Sequence, residues 1–123
     1  MDDSEIIQQR MSAQLSDIPG IKILNNVGSI SEAISAFNKY HPDLVILDIQ
    51  LADGQGFEVL DVIKMKSPKT IVIMFTNYAQ SAFRKRSLEH GADFFIDKSN
   101  GCISIYDFVR WFARDRSTKR VSL

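Results

Sequence analysis

Residues 43–48 read Asp-Leu-Val-Ile-Leu-Asp, four aliphatic side chains, Leu44-Val45-Ile46-Leu47, that stop at the carboxylate of Asp48. An uninterrupted aliphatic run of this length is the pattern of a strand covered on both faces, as the central strands of parallel sheets are. Outward from it the chain alternates. Downstream, Phe57, Leu60 and Ile63 share one face of a helix closed by Ser67-Pro68, and Thr70 to Thr76 forms a second continuous apolar strand. A helix from Tyr78 to His90 ended by Gly91, an aromatic strand from Asp93 to Asp97 and an amphipathic helix from Ile103 to Arg114 complete that direction. Upstream, Ser29 or Ser31 caps a helix carrying Ile30, Ile34 and Phe37, which His41-Pro42 ends, and Ile21 to Val27 alternates as a strand. At the front, Ile7, Met11 and Leu15 recur every four residues and predict a first helix between Ser4 and Leu15.

Strands that alternate with helices predict an α/β fold, a parallel sheet covered on both faces, with ligands and chemistry gathered at the carboxyl ends of the strands. A chain of 123 residues with 45% apolar side chains can bury the core of one domain and no more. Fifteen basic and fifteen acidic side chains cancel, so no global field draws the chain to nucleic acid or to an anionic membrane, and neither is expected as a direct partner. Cys102 is the only cysteine, which excludes an intrachain disulfide and a multi-cysteine metal site and fits a cytoplasmic location. The longest apolar runs are far too short to span a bilayer.

The strand ends carry Asp48, Thr76 and Lys98, and Asp2 and Asp3 stand just before the first helix. Three carboxylates, a hydroxyl and an ammonium on one rim have a chemical logic. Clustered carboxylates repel one another unless a hard cation joins them, and Mg²⁺ takes a few carboxylate oxygens together with water and phosphate oxygen. An aspartate can attack a phosphoryl group, a transfer that needs mainly positioning and charge neutralisation.

Four segments together, Asp2-Asp3-Ser4, Leu44-Val45-Ile46-Leu47-Asp48, Met74-Phe75-Thr76-Asn77 and Gly91-Ala92-Asp93-Phe94-Phe95-Ile96-Asp97-Lys98, resemble the signature blocks of response-regulator receiver domains of two-component signalling. The resemblance implies a stand-alone, chemotaxis-type receiver over residues 1–114, followed by a polar tail over 115–123. It implies phosphorylation of Asp48 by a sensor histidine kinase or phosphotransfer protein, with Mg²⁺ held by Asp3, Asp48 and the carbonyl of Gln50 and assisted by Asp2. Lys98 would pair with the phosphoryl oxygens. Thr76 would swing its hydroxyl onto the phosphate and Phe95 would turn inward as the readout. Its only catalysis would be assistance to its own phosphorylation and dephosphorylation. The surface carrying Arg84, Asp97, Arg110 and Trp111 matches the one commonly used for dimerisation or output.

The front of the chain departs from the pattern. Receivers resemble one another in opening with an apolar strand that leads into the acidic pair, and this sequence offers only Met1 there. In the flavodoxin-like order 2-1-3-4-5 that strand is central, so four strands and five helices are expected around a gap of roughly 9 to 10 Å. Four missing aliphatic side chains would forgo roughly 6 to 12 kcal/mol of burial, comparable with a whole domain's stability. Two explanations follow: a valine start codon read as Met1, or a sheet healed by rearrangement or by a homodimer. With the acidic pair displaced, the alternative function is a pseudo-receiver, an interaction module that takes no phosphate. A haloacid-dehalogenase-type phosphatase also uses a strand-end aspartate but wants a second carboxylate where Gln50 stands. Arg84-Lys85-Arg86 reads first as a solvated helix face, and His41 and His90 as helix-end caps.

Overall fold

The computed structural model describes residues 9, 13–16, 18, 21–23, 28–76, 81–97, 102–114 and 119–122. Within them the strands are β1 (Ile21–Ile23), β2 (Leu44–Leu47), β3 (Gln50–Leu51), β4 (Gly54–Gln55), β5 (Ile71–Thr76), β6 (Phe94–Asp97) and β7 (Lys119–Ser122). The helices are α1 (Ile30–Tyr40), α2 (Phe57–Lys66), α3 (Ser81–Glu89) and α4 (Cys102–Phe112), and residues 13–16 are also helical. The fold is a mixed α/β one of the flavodoxin-like, doubly wound kind, as the alternation predicts.

Local chemistry sets the element ends. Ser29 caps α1 by accepting from the Glu32 N–H at 3.2 Å, and His41 closes it in the left-handed region at φ 47°, its N–H donating to the Phe37 carbonyl. Along β2 the side chains alternate between two apolar clusters. Val45 and Leu47 pack with Phe37, Leu60, Ile63 and Met74, while Leu44 and Ile46 pack with Leu15, Ile73, Phe75, Ile105 and Val109. Each cluster covers one face, so β2 is buried on both sides and its aliphatic run is explained. Two side-chain contacts tie α2 to the turn between α3 and β6: the ion pair of Lys64 with Asp93 and the hydrogen bond between Asp61 and His90 Nδ1, each at 2.7 Å. His90 is thus the partner of a carboxylate distant in sequence as well as a helix-end residue.

The principal sheet corrects the expectation of four strands around a gap. Among the described residues it has five, in the order β1-β7-β2-β5-β6, all parallel. The central place is filled by Lys119–Ser122, from the segment expected to be a polar tail. Ile21, Lys22 and Ile23 pair with Lys119, Arg120 and Val121, and on the other side Leu44 and Val45 pair with Val121 and Ser122. The physical reason is the one that made a gap untenable. Two facing rows of main-chain donors and acceptors, with an apolar layer on each side, need an extended segment between them. Val121 is fully buried among Leu44, Ile46 and Ile105. The sheet is closed within one chain, so the second copy expected to complete it is not required.

Because Val121 anchors the central strand, Val121→Ala should lower the unfolding free energy by about 2 kcal/mol, read from urea denaturation with an unchanged slope. A neutral result would show that β7 does not hold the sheet together in solution.

Candidate functional site

Strand register builds the rim. Leu47 is opposite Met74, which puts Asp48, one residue on, level with Phe75 and next to Thr76 at the end of β5. Thr76 in turn is opposite Asp97, the last residue of β6. Asp48 and Thr76 therefore emerge side by side at the carboxyl ends of adjacent parallel strands, about 5 Å apart in strand spacing. Asp48 is 6% exposed and Thr76 is fully buried. Lys98, Asp2 and Asp3 lie outside the described residues, as does the segment around Asn77.

The backbone after Asp48 is folded tightly beneath it. Gln50–Leu51 and Gly54–Gln55 form a small antiparallel hairpin, and the Gly56 N–H returns to the Ile49 carbonyl at 2.5 Å. Gly56 starts α2 with φ −65° and ψ −10°, so its conformation suits any residue; what requires glycine is space. A Cβ there would collide with the carbonyl oxygen of Asp48 and sit 3.3 Å from Leu47 Cγ. The sequence displays Gly56 as a loop glycine but not that it lies against the carbonyl of the strand-end aspartate.

A second residue that sequence reasoning missed is Asp53. Its carboxylate accepts from the Ile30 N–H at 2.6 Å, and the Ala52 N–H donates to the Gly28 carbonyl at 2.9 Å. The hairpin that follows Asp48 is thereby fastened to the start of α1. The Ile30 N–H, with Ser31 behind it, holds the Asp53 carboxyl below its ordinary value of 3.8.

The predicted readout and interface residues fall into two groups. Phe95 is 8% exposed, packed in the cluster with Leu47 and Met74, and the Arg84 guanidinium lies over its ring at 5.0 Å. Arg110 and Trp111 are on α4, where they line a shallow depression with Asp107 and Arg114. Trp111 is 57% exposed and adjoins Phe108 at 5.6 Å, which itself meets the exposed ring of Phe94 edge-on at 4.8 Å. The described residues thus join Arg84 to Phe95 and Trp111 to an aromatic row, while Asp97 is at the end of β6 opposite Thr76.

Among the described residues no group of three or more His, Cys, Asp or Glu is placed to hold a metal. Asp48 and the Gln50 main chain are the expected ligands within them, and both are oxygen donors of the kind that a hard cation takes.

A doubly wound parallel sheet with a buried aspartate and a threonine at neighbouring strand ends defines a class that comparison with known families makes specific. The model for the response regulator receiver domain matches residues 1–110, and the chain belongs to that family. It is 31% identical over 117 residues to the response regulator protein VraR of Staphylococcus aureus, an alignment covering 95% of this chain and 56% of that protein. The chain therefore spans little more than half the length of that relative. Among solved structures it resembles a LuxR-family DNA-binding response regulator from Staphylococcus aureus, with a TM-score of 0.82 and 21% identity over 92% of this chain and 94% of that one. It also resembles the non-phosphorylated HemR receiver domain from Leptospira biflexa, with a TM-score of 0.81 and 25% identity over 93% and 90%. A CheY-like receiver domain protein from Methanospirillum hungatei shares the fold at a TM-score of 0.82 and 23% identity, over 91% of this chain and 88% of that one.

Gly56→Ala should cost about 1–3 kcal/mol in urea denaturation and shift the amide resonances of Ile49 and its neighbours, because the methyl group displaces the Asp48 carbonyl. The lowered pKa of Asp53 has a signed consequence. Its contribution to stability is full above 3.8 and is lost as pH falls from there through its lower folded value, so Asp53→Asn should flatten the acid limb of the stability profile in that window. An unchanged limb would mean that the Asp53 carboxylate does not cap α1 in solution.

Proposed function

We propose that this receiver domain is a phospho-acceptor module that takes a phosphoryl group on Asp48 from a sensor histidine kinase or a phosphotransfer protein. The observation that carries this is the buried strand-end carboxylate of Asp48 beside the buried hydroxyl of Thr76, in a chain of the receiver family. An Asp48 carboxylate oxygen attacks phosphorus, the P–N bond of the donor's phosphohistidine breaks, and its electron pair leaves with the imidazole, giving an acyl phosphate. Mg²⁺, when bound, would supply charge neutralisation for the transfer; Asp3, Asp48 and the Gln50 carbonyl would hold it, with Asp2 assisting through water. Lys98 pairs with the phosphoryl oxygens.

Thr76 follows the added dianion with its hydroxyl, and Phe95 turns inward into the space vacated. Arg84 rides on the Phe95 ring, so the response reaches the surface formed by Arg84, Asp97, Arg110 and Trp111, where a protein partner or a second copy docks. A balanced charge supports protein rather than nucleic acid as the direct contact of this domain. Among the described residues no helix is long and apolar enough to cross a membrane, and the proposed setting is the cytoplasm.

The test is incubation with Mg²⁺ and acetyl phosphate followed by intact-mass measurement. One added phosphoryl group is expected for the natural sequence and none for Asp48→Asn, a loss of at least about 100-fold in rate. Phosphorylation that persists in Asp48→Asn would move the acceptor elsewhere. Its absence from both would favour the pseudo-receiver.

A further inference from the structure

The hairpin that follows Asp48 is held at both ends. At its near end the Gly56 N–H donates to the Ile49 carbonyl at 2.5 Å, and Gly56 leaves no room for a Cβ against the carbonyl of Asp48. At its far end the turn between β3 and β4 is bonded to the start of α1. The Ile30 N–H donates to Asp53 Oδ1 at 2.6 Å and the Ala52 N–H donates to the Gly28 carbonyl at 2.9 Å. That anchor is firm, because α1 has its own cap in Ser29 and Ile30 is buried in the same apolar cluster as Leu51. Gln50 lies between the two ends, opposite Gln55. Antiparallel pairs alternate between hydrogen-bonded and non-hydrogen-bonded, so beside the bonded pair of Ile49 and Gly56 the Gln50 carbonyl faces away from the partner strand.

We propose that Asp53 is a positioning residue for a divalent cation at Asp48: by tying the hairpin to α1 it sets where the Gln50 carbonyl stands relative to the Asp48 carboxylate. The inference rests on the Mg²⁺-dependent phospho-acceptor reading of Asp48. Asp53 is not a ligand in this arrangement, since its carboxylate is engaged with the helix start. Mg²⁺ tolerates little departure from octahedral geometry, so a carbonyl moved by a few tenths of an ångström holds it less well. Groups that fix a metal ligand from behind are worth about 10- to 100-fold in affinity. The bond from Ile30 asks only for an oxygen acceptor in the place of Oδ1, which the side-chain amide of asparagine also supplies.

The test is a titration of Mg²⁺ into the full chain, followed through the amide resonances of residues 48–51. Asp53→Ala should raise the Mg²⁺ dissociation constant about tenfold, and Asp53→Asn should keep it within about threefold of the natural value. With acetyl phosphate as donor, the half-saturating Mg²⁺ concentration of Asp53→Ala should rise about tenfold, with the rate approaching the natural one as Mg²⁺ saturates. Loss of folded protein would lower the rate at saturation instead. An unchanged dissociation constant in Asp53→Ala would overturn the proposal and leave the phospho-acceptor reading standing. Equal losses in Asp53→Ala and Asp53→Asn would overturn it by making the effect one of charge rather than position. Absence of Mg²⁺ binding by the natural chain would overturn both the proposal and the reading beneath it.

Discussion

The pairing of β7 between β1 and β2 is the constraint on which the other elements depend. A parallel sheet cannot carry a vacant central position, because the flanking strands would present unpaired donors and acceptors to an apolar layer. β2 is held by β5 on one side and by β7 on the other, and its aspartate projects from its carboxyl end. Where the Asp48 carboxylate points is thus determined partly by a strand more than seventy residues away in sequence. The site is local in space and dispersed along the chain, as parallel pairing requires.

The rim is stiffened from below. Gly56 lets α2 begin directly against the Asp48 carbonyl, and the hairpin of β3 and β4 leaves from the same point. Asp53 then locks that hairpin to the N-terminus of α1 by a charge-assisted hydrogen bond to Ile30. A change in charge at Asp48 meets a backbone fixed on this side. On the other side stand Thr76, fully buried, and Phe95, whose ring is held by packing and by the Arg84 guanidinium at 5.0 Å.

Much of this was legible in the residues. Leu44–Leu47 and Ile71–Phe75 declare themselves as doubly buried strands because their environment demands an apolar residue at every position, and strand ends follow from strands. Asp48 and Thr76 were placed on that basis, and the helices followed from spacing and caps such as Ser29 and His41. β7 was not legible, since Lys-Arg-Val-Ser carries no periodicity and its extended form comes from partners elsewhere in the chain rather than from its own preference. Gly56 and Asp53 were missed for a related reason. The first matters through a steric approach and the second through a hydrogen bond spanning 23 residues, and neither has a signature in local sequence.

The position of β7 along the chain also bears on how the protein is made. During synthesis β1, β2 and every helix described here emerge before residues 119–122, so of the described strands the one in the middle of the sheet is made last. Until then the facing edges of β1 and β2 have no strand between them and are able to pair with a neighbouring extended chain. A sheet whose central strand comes after both of its neighbours in the chain is completed only when that segment is available, unlike one whose central strand comes first.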